Sequence, residues 1–402
     1  MLILTEQEKA IAASIAEMKS KAGSHSPSVF TLFENLPELR VKIDACYLSN
    51  PYATELFLNF LRRELIDTGR LRDFLEFYPS QNQVIASALE EHLDVPTGKI
   101  FVGNGAAEII QAVIHNFTTK KILVNIPTFS SYYEFAKDDV QVLYFKLDKD
   151  NNFRLDIDSY LQTIKREKPD TVVLINPNNP DGGYIGFAEI QHLLEELREV
   201  DNIIIDESFI HFSFEERVNK FRSALELSRH FNNLIIIKSM SKDFGIAGIR
   251  AGYAVMSEAK VNYLLKNGYL WNVSGLAQYF FNLYAREEFS REYEKVRVQY
   301  VQEAQTFFKN LSKIPSIKVY PSMANFALVE LIDGSRAADF FIKMLVQHHI
   351  YTRSCSDKIG LDGQFVRIAA RTKGENQAII NAINSIYSLP LEYDYEVAMQ
   401  AA

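Results

Sequence analysis

The chain has 402 residues, 47% hydrophobic and 23% charged, which is ordinary for a globular enzyme and long enough for roughly two or three domains. A net charge of −8 with no basic patch, Thr119-Lys120-Lys121 reading as a loop before a strand, argues against a nucleic-acid partner. Two cysteines, Cys46 and Cys355, give no disulfide framework, and no apolar run approaches the roughly 18 residues of a membrane span, so the expected setting is cytoplasmic, without nucleic-acid or membrane partners.

Taken in chain order, Thr5 to Lys21 has helical spacing, with Ile11, Ile15 and Met18 on one face, and leads into the polar loop Ala22-Gly-Ser-His-Ser-Pro27. This amino-terminal arm, residues 1–45, is expected to pack with a small carboxy-terminal lobe. Helical patterns follow from Ala53 to Thr68 and from Asn82 to Leu93. Short β-branched runs then alternate with helical ones: Ile100-Phe-Val102, Ile122-Leu-Val124, Val140 to Leu143, Val172 to Ile175, Ile203 to Ile205 and Leu234 to Ile237 read as buried strands. Helices are predicted between them at Ala106 to Phe117 and Phe187 to Val200. Continuous apolar strands separated by helices predict a mainly parallel α/β sheet covered on both faces, within a large domain over 46–272. A long helical region from Ser274 to Leu311 opens a smaller α+β domain, 273–402. Its strands are expected at Ile317 to Tyr320, Phe326 to Glu330 and Phe365 to Ile368, and its helices at Ala337 to Gln347 and Glu375 to Ser388. A loose tail is expected from Glu392 to Ala402.

Ligands of such sheets sit at the carboxyl ends of the strands, and several chemical groups fall there. Gly103-Asn-Gly105-Ala106-Ala107 leaves one strand and opens a helix whose free amides suit an anion. Phe129 follows the next strand and offers a ring for stacking. Asn176-Pro-Asn-Asn179-Pro forms a rigid turn presenting the Asn179 amide, and Asp206-Glu207 places a carboxylate where it can pair with a protonated ring nitrogen. Ser239-Met-Ser241-Lys242 then runs through a glycine-punctuated turn to Arg250. Of the two lysines there, Lys238 merely continues the strand, whereas Lys242 follows Ser-x-Ser. Lys242 is therefore the candidate to hold a phosphate-bearing aldehyde cofactor. Arg367, in the last strand, can grip a carboxylate with two prongs, and Arg371 follows it.

Each of these motifs alone is weak, but their order is specific. From about Asp44 to Ser388 the chain resembles the class I/II aminotransferases of fold type I, which use pyridoxal 5′-phosphate, and most of all the branch holding histidinol-phosphate aminotransferase and threonine-phosphate decarboxylase. The resemblance implies that Lys242 and Asp206 are the catalytic pair, one forming the Schiff base and the other facing the pyridine nitrogen. It further implies that Asn179 bonds the ring hydroxyl and that Phe129 stacks on the ring. By the same resemblance Gly105, the Ala106 and Ala107 amides, Ser239, Ser241, Arg250 and the partner subunit's Tyr78 would hold the phosphate. Arg367 takes the substrate carboxylate, Asn50 and Tyr52 lie near the entrance, and a homodimer is implied. No metal is expected. The amino-terminal arm, with Lys19, Lys21 and Ser24-His25-Ser26, resembles the linker of nucleotidyltransferase–aminotransferase fusions, and His25 is a further candidate for binding an anionic substrate. The expected activity is ping-pong transfer of an amino group between a small anionic amine and a 2-oxo acid, either of these being a small-molecule partner. Decarboxylation of a phosphorylated amino acid such as threonine phosphate, or a 2-aminoethylphosphonate-type transamination, is the alternative. Three departures stand out: Phe209 where relatives carry a tyrosine, Asp181 after Asn-Asn-Pro, and Arg371, which resembles the decarboxylase side of the branch.

Overall fold

The computed structural model describes residues 2–21, 26–218, 220–269 and 271–388; His25 and the tail from Glu392 lie outside them. The apolar runs form one seven-stranded sheet in the order Ile100–Gly103, Gly252–Val255, Leu234–Ser239, Asn202–Asp206, Thr171–Ile175, Lys121–Ile126, Gln141–Lys146. Neighbouring strands are parallel except around Gly252–Val255, which runs antiparallel to both its neighbours and makes the sheet mixed. Only four residues long and entered through glycine and alanine, that strand was not separable by pattern from the loop before it.

Alternation of side chains explains why the strands read as unbroken apolar runs. Val172, Leu174, Ile203, Ile205, Leu234 and Ile236 enter one core, while Val173, Ile175, Ile204, Ile235 and Ile237 enter another with Ile109, Ile110 and Val113 of the helix Ala106–Phe117. Each such side chain, removed from water, stabilises the fold by about 1.5–3 kcal/mol. Helices therefore cover both faces, as expected for an α/β layer structure.

The predicted segment 53–68 is a helix from Pro51–Leu61 that continues as a π turn, Arg62–Ile66. The expected single helical region over 274–311 is two helices, Gly275–Tyr284 and Glu287–Leu311, because Arg286 takes an extended conformation and ties its guanidinium to Glu64 at 2.9 Å.

The second lobe carries an antiparallel sheet ordered Arg353–Ser354, Phe365–Ala369, Phe326–Leu331, Ile317–Val319. Ile43–Asp44 pairs in parallel with Ile350–Tyr351. The helix Glu6–Lys21 lays Ile11 and Ile15 on Phe341, Ile342 and Leu345, and buried Glu8 pairs with Lys343 at 3.0 Å. The arm therefore packs on the same lobe that supplies Arg353 and Arg367. Among the described residues no helix is long and apolar enough to cross a membrane, and no group of three or more His, Cys, Asp or Glu could hold a metal ion.

Candidate active site

A cavity of about 390 Å³ opens where the carboxyl ends of the central strands meet the second lobe. Ten of the residues expected to bind cofactor or substrate line it: Ala106, Ala107, Phe129, Asn179, Asp206, Ser239, Ser241, Lys242, Arg250 and Arg367. They come from six separate segments; all but Arg367 reach one edge of the large sheet, where its parallel strands end, and Arg367 faces them from the antiparallel sheet of the second lobe.

At one end, the helix Ala106–Phe117 starts at Gly105, whose φ of +82° only glycine adopts freely. A Cβ there would stand 2.4 Å from Arg250 Nη2. Arg250 in turn donates to Ala247 O at 2.9 Å. Free helix amides, the Ser239 and Ser241 hydroxyls and this guanidinium make an anion cradle.

Asp206 sits in the floor, 4% exposed. Burial raises its pKa, opposed by hydrogen bonds from Ser208 N to Oδ1 and from Tyr132 Oη to Oδ2, both 2.8 Å. Tyr132 lies three residues beyond Phe129, in the short helix Ser131–Glu134 that follows the same strand. Lys242 reaches the same space. Its pKa is lowered to about 8 by burial, with the Arg367 and Arg250 charges adding to the effect. Lys238, the other candidate, instead donates to Glu207 O at 3.0 Å and pairs with Asp243 beneath the sheet edge.

Arg367 donates from Nη1 to Asn179 Oδ1 and from Nη2 to Cys46 O, each at 2.7 Å, while its buried Nε has no partner. Directly opposite in the sheet register stands Arg353, which donates to Asp357 at 2.6 Å. Lys358, its pKa lowered to about 8 by burial and by Arg353, completes this wall together with Ser26. Arg353 and Lys358 carry no motif; the cross-strand register sets Arg353 beside Arg367, Lys358 follows a few residues on, and Ser26 of the Ser24-His25-Ser26 stretch reaches the wall from the arm.

Some expected residues lie elsewhere. Tyr78 is 86% exposed and packs near Trp271, with ring centroids 5.9 Å apart, away from this chain's cavity. Asn50 is fully buried and caps the helix Pro51–Leu61 by accepting from Tyr52 N and Ala53 N, and Tyr52 Oη donates to Glu303 Oε2 at 2.6 Å; neither lines the cavity. Arg371 is also absent from it, with Nη1 bonded to Ser49 O at 3.1 Å. Asp181 is buried in its turn, bonded to Asn178 and to Gly183 N, on the far side of Asn179. Phe209 lines the cavity with an apolar ring where a hydroxyl would donate.

Comparison with known proteins corrects the expected reaction. The chain is 58% identical over 388 residues to L-serine phosphate decarboxylase of Campylobacter jejuni, covering 96% of this chain and all of that one. It is 47% identical to L-serine phosphate decarboxylase of Sulfurospirillum multivorans, covering 92% and 94%. A solved decarboxylase from Sulfurospirillum multivorans superposes with a TM-score of 0.91 at 45% identity, covering 95% and 97%. All three are decarboxylases, which overturns the expectation of an aminotransferase passing its amine to a 2-oxo acid, the 2-aminoethylphosphonate version included. The decarboxylase alternative fits instead. The cofactor expectation stands, since these relatives depend on pyridoxal 5′-phosphate. With residues 50–385 matching aminotransferase class I and II, the chain belongs to that family of pyridoxal 5′-phosphate enzymes of fold type I, whose members are typically homodimers.

Proposed function

We propose that this chain decarboxylates L-serine phosphate, or a near homologue of it, releasing carbon dioxide and leaving a phosphorylated amino alcohol. The observation that carries the reading is the facing pair Arg353 and Arg367 in the cavity wall. Like charges directly opposed across a sheet destabilise it, and Lys358 adds a third cation. Such a wall suits a substrate with two anionic ends, a carboxylate and a phosphate of about −1.5 to −2 charge at pH 7. The names of the two decarboxylase relatives support the same substrate class.

The residues present fit pyridoxal 5′-phosphate. Gly105, Ala106, Ala107, Ser239, Ser241 and Arg250 form a cradle for its phosphate, and the close approach of Arg250 to Gly105 leaves no room for a larger residue there. With the cofactor bound, Phe129 would stack on its ring, Asn179 would face its hydroxyl, Asp206 would pair with its nitrogen and Lys242 would hold its aldehyde. The bound cofactor supplies an electron sink for the bond broken at the substrate α-carbon.

Arg367 takes the substrate carboxylate, oriented by Asn179, while Arg353 and Lys358 hold the phosphate. Apolar Leu48, Ile110, Phe129 and Phe209 line the rest of the cavity and favour loss of the charged carboxylate as neutral carbon dioxide. Loss of carbon dioxide leaves the α-carbon needing a proton, which the Lys242 ammonium delivers. With its pKa near 8, this lysine gives up a proton more readily than an ordinary one.

A homodimer completes the reading. Leu75, Phe77, Tyr78 and Trp271 are 53 to 86% exposed on one chain, an apolar patch that a second copy would cover. There Tyr78 would serve the partner's cofactor phosphate.

The test is incubation of the holoenzyme with L-serine phosphate while carbon dioxide and residual 2-oxo acid are measured. Carbon dioxide equal to substrate consumed, with an added 2-oxo acid untouched, is expected. Amino transfer without carbon dioxide would overturn the proposal.

A further inference from the structure

Behind the cavity lies a buried group of charges that the reaction above leaves without a task. Lys238, next to last in the strand Leu234–Ser239, is 2% exposed; Asp243, one residue past Lys242, is fully buried. The two form an ion pair, and Lys238 Nζ also donates to Glu207 O at 3.0 Å. His211 Nδ1 lies 3.2 Å from Asp243 Oδ2 and 3.0 Å from Tyr293 Oη, while Asp243 Oδ1 has no hydrogen-bond partner. Burial holds the His211 pKa well below its ordinary value, so the histidine is neutral and Lys238 is the charge that balances Asp243. Arg297 approaches from the helix Glu287–Leu311, but its Nη1 is bonded to His211 O at 2.8 Å and its other nitrogens to Val218 O and Glu294.

Burying an ion pair costs desolvation that a well-packed apolar pair would avoid, so its placement calls for a reason beyond stability. The connectivity supplies one. Glu207 is the residue after Asp206, and Asp243 is the residue after Lys242. Strands Asn202–Asp206 and Leu234–Ser239 are parallel neighbours, with Asp206 paired to Ile237. One ammonium therefore bonds the backbone just past the carboxylate that faces the cofactor ring and the side chain just past the lysine that anchors it.

We propose that Lys238 is a positioning residue, a staple that fixes the separation of Asp206 and Lys242 and so the seat of the cofactor between them. The inference rests on the reading of those two residues as cofactor-holding groups. Asp243 is the second half of the staple, and the close, tilted contact of the Phe244 and Tyr293 rings, centroids 4.2 Å apart, keeps the turn pressed against it. Without the staple no ion pair ties the turn 239–243 to the strand carrying Asp206, and the Lys242 amine gains freedom to shift relative to Asp206.

The test uses holoenzyme of wild type, Lys238→Met, Lys238→Arg, Asp243→Asn and the double variant Lys238→Met/Asp243→Asn. Visible circular dichroism of the bound cofactor, thermal midpoint, and kcat and KM for L-serine phosphate are read for each. The expected result is a changed cofactor dichroism and a kcat lower by about 10- to 100-fold in Lys238→Met, with little change in KM, as for a misplaced reacting group. Lys238→Arg restores part of both. The double variant, with no uncompensated carboxylate, regains thermal stability yet keeps the altered dichroism and low kcat. A double variant with wild-type dichroism and kcat would show that the pair serves the fold alone and would overturn the proposal; this variant also decides the matter if Lys238→Met does not fold. Lys242→Ala is the separate control. If it keeps a covalently bound chromophore, the reading of Lys242 fails, whatever the staple variants show.

Discussion

Removing one oxygen from Tyr132 isolates the role of Asp206. Tyr132 is fully buried and donates to Asp206 Oδ2 at 2.8 Å; the other carboxylate oxygen accepts from Ser208 N. Tyr132→Phe keeps the ring and its packing against the core, so the change acts on the carboxylate. A hydrogen bond to a charged acceptor contributes about 1.5–3 kcal/mol, equivalent to about 10- to 150-fold in an equilibrium constant. Burial already raises the Asp206 pKa, and Lys238 opposes that only through its charge. Without Tyr132 the pKa rises further, so the ionised form is lost at higher pH. Activity that needs an ionised Asp206 then falls away on the acid side sooner: the acid limb of kcat against pH moves upward, and at a fixed slightly acidic pH kcat drops by about 10-fold or more. Cofactor affinity weakens in the same direction, because a protonated Asp206 does not pair with a protonated ring nitrogen. The assay is carbon dioxide release from L-serine phosphate across pH, with cofactor dissociation followed by absorbance. A Tyr132→Phe enzyme with an unmoved acid limb and unchanged cofactor affinity would refute the assignment of Asp206.

Further outcomes follow from the same geometry. Arg353→Ala lowers kcat/KM for L-serine phosphate by about 100-fold, but acts far less on cofactor binding, since loss of a charged bidentate partner costs a few kcal/mol; a drop shared equally by unphosphorylated serine would remove Arg353 from the phosphate. Gly105→Ala forces a Cβ to 2.4 Å from Arg250 Nη2 at a φ of +82°, so cofactor retention after gel filtration falls, together with about 1–3 kcal/mol of stability by thermal melting. In the apoprotein, the rate of recombination with the aldehyde cofactor rises with pH and levels off near 8, where Lys242 becomes neutral; an ordinary lysine would go on rising beyond pH 10. Because the folded pKa of Lys242 is depressed from 10.5 to about 8, the unfolded chain binds more protons between those values, and the apoprotein gains stability from this group as pH rises through that window. A Lys242→Met apoprotein lacks the gain. Phe244→Ala, at the centre of rings from Phe280, Tyr284 and Tyr293, costs about 3–5 kcal/mol in denaturant unfolding.

Features carried by contiguous residues can be read from the chain alone. Five strands of the sheet and the helix opening at Gly105 were legible because burial on both faces leaves an unbroken apolar run, and because glycine at a helix start has a local cause; the sixth, Gln141–Lys146, expected as buried, is a half-exposed edge strand. Lys242 could be preferred to Lys238 from its Ser-x-Ser setting, and the ordered motifs pointed to the cofactor. The tertiary structure alone decided the matters that depend on distant segments. The antiparallel strand Gly252–Val255 and the break at Arg286 rest on partners far along the chain, at Ile100–Gly103 and Glu64. Asn50 and Tyr52 sit in an entrance-like stretch, yet their polar atoms go to a helix cap and to Glu303, a choice no local pattern records. Arg353 becomes a neighbour of Arg367 only through strand register, and Lys358 and Ser26 join them through the folding of the second lobe and its arm. Reaction type belongs to the same class of property: the same cofactor-holding residues serve proton or carboxylate loss, and the choice lies in how cations from separate segments are set around the substrate.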